Sequence, residues 1–82
     1  MEKKIGIISI AITQQESVGD INNLLTSYAN IILSRNGLPL RDEGVFVISL
    51  VVKSNGDTIN ALTGKLGRLS GVKVKSILIK QQ

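Results

Sequence analysis

The chain predicts an α+β fold in which a strand–helix–strand unit occurs twice, and three observations carry that reading. Ile8-Ser9-Ile10-Ala11-Ile12 reappears forty residues later as Ile48-Ser49-Leu50-Val51-Val52. Asp20-Ile21-Asn22-Asn23-Leu24 reappears thirty-eight residues later as Thr58-Ile59-Asn60-Ala61-Leu62. Each copy passes from a β-branched segment through a polar break into apolar positions at helical spacing.

Residues 4–13 read as the first strand. Ile5, Ile7, Ser9 and Ala11 fall on one side and Gly6, Ile8, Ile10 and Ile12 on the other, so both faces are apolar, as in a covered central strand. Thr13-Gln14-Gln15-Glu16 breaks the pattern. Ser17-x-x-Asp20 has the spacing of a helix start, with the Ser17 hydroxyl placed to cap an orphan amide. Val18, Ile21, Leu24, Leu25 and Tyr28 then make one apolar stripe.

Ile31 to Leu40 is extended but carries Asn36-Gly37 and Pro39. Proline cannot donate to a ladder, which predicts an edge strand with a bulge or bend. Arg41-Asp42-Glu43-Gly44 reads as a hairpin turn, and Val45 to Lys53 as a third strand with two apolar faces. Ser54-Asn55-Gly56-Asp57 repeats the Ser-x-x-Asp cap. Ile59, Leu62, Leu66 and Leu69 form a second helical stripe, Ser70-Gly71 stops it, and Val72 to Lys80 completes the set. The order β-α-β-β-α-β is that of ferredoxin-like folds. Right-handed crossovers put both helices on one face of a four-stranded antiparallel sheet, with the duplicated strands central.

Length and composition narrow the chemistry. Eighty-two residues make one domain, residues 1–82, which buries only about 60–65% of its unfolded surface. The chain has no cysteine and no histidine, so disulfides, thiolate or imidazole metal sites and histidine-based nucleophilic catalysis are excluded within one chain. No metal and no cofactor is expected. The six carboxylates, Glu2, Glu16, Asp20, Asp42, Glu43 and Asp57, form no acid–base pair along the sequence, so no catalytic residue is assigned. The apolar stretch after Met1-Glu2-Lys3-Lys4 is too short for a membrane span and has no cleavage site, which predicts a soluble, cytoplasmic protein with no membrane partner.

Two further expectations concern partners. Helices on one side leave the second apolar face of strands one and three bare, and such a patch predicts a homo-dimer or tetramer through the open sheet face and strand edges. The net charge of +4 is concentrated after residue 44, where Lys53, Lys65, Arg68, Lys73, Lys75 and Lys80 face only Asp57. A solvated basic surface accounts for that; the functional alternative is a nucleic-acid surface made by Lys65, Arg68, Lys73 and Lys75. Gly64-Lys65-Leu66-Gly67 has the form of an RNA-clamping loop but lies in a helical stripe, where small residues serve packing. One Phe and one Tyr cannot make a base-stacking sheet. Small-molecule binding is expected instead in the loops after strands one and three, where free amides and the helix dipole favour an anion; the first offers Thr13, Gln14, Gln15, Ser17 and Gly19, which otherwise merely cap the helix.

Arg35-x-Gly37-Leu38-Pro39, the strand ending Leu50-Val51-Val52-Lys53, and the run from Asp57 through Gly64-Lys65-Leu66-Gly67 to Gly71-Val72-x-Val74-Lys75 resemble the iron-only ([FeFe]) hydrogenase system regulators. The resemblance implies a small ACT-like domain, similar in fold to the C-terminal sensor domain of the nickel-responsive repressor, with a regulatory or ligand-sensing role rather than an enzymatic one. It does not carry nickel over, because that sensor's ligands are histidine and cysteine. Nor is there length for the repressor's DNA-binding segment, so transcription regulation would require a partner or the basic surface. ACT-like domains bind amino acids at subunit interfaces near the loop after the first strand, here Thr13 to Gly19.

Overall fold

A computed structural model describes residues 3–80. The elements are β1 (Lys4–Ile12), α1 (Val18–Ser27), β2 (Ile32–Leu40), β3 (Val45–Ser54), α2 (Gly56–Gly67) and β4 (Val72–Lys80), with single 3-10 turns before α1, after it and after β2. The sheet is antiparallel in the order β2-β3-β1-β4, so the duplicated strands are the central pair. The architecture is the ferredoxin-like α+β fold.

Strand parity decides what each residue meets. Ile8, Ile10 and Ile12 of β1 and Ile48, Leu50 and Val52 of β3 are buried against Ile21 and Leu25 of α1 and Ile59, Leu62 and Leu66 of α2, forming one core. Glycine at position 6 lets α2 approach β1 closely. A Cβ there would lie 3.1 Å from Val52 Cγ2 and 3.3 Å from both Ile59 Cγ2 and Leu78 Cδ2. The opposite parity faces away from both helices. On that side Ile7, Leu38, Ile77 and Ile79 are exposed, Ile77 by 63%.

Several local expectations are corrected. Ser17 does not cap α1; its hydroxyl is turned back and donates to the Ser70 carbonyl at 2.5 Å. The cap of α2 is Asn55 rather than Ser54, its Oδ1 accepting from the Thr58 amide at 2.8 Å. β2, by contrast, is the edge strand with a bulge that the sequence predicts, the extra residue being Leu33 between Ile32 and Ser34. α2 ends at Gly67, and the left-handed glycine, Gly71 at φ 70°, turns the chain into β4.

Candidate functional site

The β1–α1 loop is held by the turn that precedes β4. The Gly71 carbonyl accepts from the Thr13 amide at 2.8 Å and from Thr13 Oγ1 at 3.1 Å. Ser17 Oγ donates to the Ser70 carbonyl, and Ser70 Oγ donates to Gln14 Oε1 at 2.8 Å. Ser17 is buried at 4% exposure, the buried polar residue of the described chain. These bonds fix the loop's shape and occupy the side chains of Thr13, Gln14 and Ser17.

One side of that loop faces the β2–β3 hairpin across a groove of about 700 Å³. Ile12, Thr13, Gln15 and Val18 form one wall. Gly37, Pro39, Leu40, Arg41, Gly44, Val45 and Phe46 form the other. The lining is mainly apolar, and Arg41 is its charged residue. Arg41 stands on the 3-10 turn that Gly44, at φ 67°, closes in the left-handed region. An arginine among the residues lining a mainly apolar groove is suited to a planar anion such as a carboxylate, which a guanidinium can bind with two parallel hydrogen bonds.

Of the five residues expected at this site, Thr13 and Gln15 line the groove. Gln14 and Ser17 serve the clasp on the turn before β4, and Gly19 is exposed on α1 with nothing within 4 Å of where a Cβ would stand. The hairpin wall was not expected from the sequence. Its available signals were the polar turn Arg41-Asp42-Glu43-Gly44 and the lone phenylalanine, Phe46.

The four basic residues of the nucleic-acid alternative divide between two sides of the molecule. Lys65 is on α2, where its ammonium donates to the Tyr28 hydroxyl at 2.9 Å and ties the two helices together. Arg68 follows the end of α2. Lys73 and Lys75 pair with Ala11 and Ser9, which puts them on the sheet face away from the helices. Among the described residues, no three His, Cys, Asp or Glu come together as a metal cluster. No described helix is long and apolar enough to cross a membrane.

Two helices on one face of a β2-β3-β1-β4 sheet, with a groove beside the β1–α1 loop, define a small ferredoxin-like domain of the ACT-like kind. The chain belongs to the TM1266-like family, whose description reads "Iron-only hydrogenase system regulator, putative" and whose model matches residues 4–76. It is 41% identical to the uncharacterized protein TM1266 from Thermotoga maritima, with a TM-score of 0.91 over 96% of this chain and 100% of that one. The ACT domain of the GTP pyrophosphokinase of Chlorobium tepidum is similar in fold at 20% identity and a TM-score of 0.74, covering 94% of this chain and 89% of that domain. An unknown protein from Galdieria sulphuraria gives a TM-score of 0.70 at 17% identity, over 99% of this chain and 48% of that one. No curated protein matches the chain. The family resemblance and the fold class read from the sequence both hold.

Proposed function

We propose that the chain is a cytoplasmic, non-enzymatic regulatory domain of the iron-only hydrogenase system that works as a homo-oligomer and senses a small anionic ligand, such as an amino acid. The observation that carries the ligand reading is the groove between the β1–α1 loop and the β2–β3 hairpin, with Arg41 the charged residue of a mainly apolar lining. The oligomer reading is supported by the apolar residues that β1, β3 and β4 present away from the helices. Membership of the regulator family supplies the biological setting.

A thermal-shift screen of amino acids and small carboxylates tests this reading. A ligand that binds only the folded chain stabilises it by about 2.7 kcal/mol at a hundred times its Kd, which moves the Tm of a domain this size by roughly 10–20 °C. The reading expects such a rise for the wild type and its loss in Arg41→Ala. No rise with any compound, or an equal rise in the variant, would sink it.

A further inference from the structure

The sheet face turned away from the helices is not uniformly apolar. Strand register aligns Asn36 of β2 with Ser49 of β3, Ser49 with Ser9 of β1, and Ser9 with Lys75 of β4. These four exposed residues form one polar row crossing all four strands. The row on one side is Leu38, Val47, Ala11 and Lys73; on the other it is Ser34, Val51, Ile7 and Ile77. The charged residues on these strands' outward parity are Lys53, Lys73 and Lys75, and no carboxylate accompanies them.

We propose that this polar row is a pairing code for a second copy of the chain, read by a two-fold axis that runs along the strands between β1 and β3. The inference rests on the homo-oligomer reading above and adds its symmetry and register. Two in-plane axes can bring such faces together as an isologous pair. An axis running across the strands through the polar row would set each strand on its own reversed copy, stacking Lys75 on Lys75 with no acid to separate them and Lys73 over Ile77 of the second copy. The axis along the strands sets β4 of one copy over β2 of the other and β1 over β3. Lys75 then meets Asn36 of the second copy, whose amide oxygen accepts from the ammonium. Ser9 meets Ser49 of the second copy, and a hydroxyl pair can donate and accept in either sense. Lys73 and Lys53 come to lie over Leu38 and Ile5 of the second copy, where their methylene stems cover apolar surface and their ammonium groups reach water.

The size of the face fits this use. Four strands about 4.8 Å apart and nine residues long give a footprint of roughly 20 × 30 Å, on the order of 600 Å² per copy. Two copies therefore bury about 1,200 Å², the lower limit for a specific interface. Aligned sheets pack at about −30°, which displaces the outer strands by roughly one residue. A lysine side chain spans that offset.

The test uses the molar mass of the full-length chain, by light scattering across a concentration series, for the wild type, Asn36→Lys and the double variant Asn36→Lys/Lys75→Glu. Asn36 is exposed on an edge strand, and circular dichroism checks that each variant is folded. Asn36→Lys places a lysine opposite Lys75 twice per dimer, and the expected result is a Kd at least tenfold weaker. The double variant replaces that repulsion by two Lys–Glu pairs, and its Kd returns to within about threefold of the wild type. A wild-type mass of one chain throughout overturns both this pairing and the homo-oligomer reading. A dimer indifferent to Asn36→Lys, or weakened by it and not restored by Lys75→Glu, overturns the pairing alone and moves the assembly to another surface.

Discussion

The two faces of the sheet are built from the same strands, yet they meet different surroundings. On β1 and β3 the even-numbered residues Ile8, Ile10, Ile48 and Leu50 are at most 1% exposed beneath two helices. Their odd-numbered neighbours Ile5, Ile7, Val47 and Val51 lie on the side the helices do not reach. A half-wet strand alternates apolar with polar residues, and these strands do not. On the two central strands the faces differ mainly in cover, since Ser9, Ser49 and Lys53 are the polar residues of the uncovered side, and that side is where the proposed second copy would sit.

The largest effect that would break this comparison comes from the covered face. Leu50→Ala removes a fully buried side chain, and urea denaturation is expected to read a loss of about 2–5 kcal/mol. A loss below 1 kcal/mol would mean that this face is not the core. Gly6→Ala sharpens the same point from the opposite direction. Its new methyl must displace Val52, Ile59 or Leu78, a cost of about 1–3 kcal/mol by the same assay. Ser17→Ala removes the hydroxyl that ties the start of α1 to the turn before β4, and about 1 kcal/mol should go with it. A neutral result would show that the clasp on the β1–α1 loop is decorative. Smallest for the folding of one chain is Ile7→Lys, on the bare face. At low micromolar concentration and below, its unfolding free energy should stay within about 0.5 kcal/mol of the dissociated wild type, while its capacity to associate is lost. A large loss of intrinsic stability would mean that Ile7 serves the core after all.

The sequence made the sheet legible because parity and repetition are local signals. Ile8 to Ile12 and Ile48 to Val52 marked the central strands, and Pro39 marked an edge. The caps were harder. Ser17-x-x-Asp20 has the right spacing for a cap, but a carbonyl fifty-three residues away, that of Ser70, takes the Ser17 hydroxyl. Tertiary contacts of that kind leave no trace in spacing, and the same holds for the Thr13–Gly71 bonds. At the candidate site, Thr13 and Gln15 were accessible to the argument that a strand–helix loop binds anions. Arg41 and the hairpin wall were not, because the groove forms only when the β2–β3 turn folds beside the β1–α1 loop. The polar row Asn36–Ser49–Ser9–Lys75 was equally hidden, since it exists only once the register of three strand pairs is known.

Whether the bare face is covered by a second copy is decided most directly by the molar mass of the wild-type chain in solution at micromolar concentration. The account predicts two chains or a multiple of two. A mass of one chain, 8.8 kDa, at every concentration would contradict it.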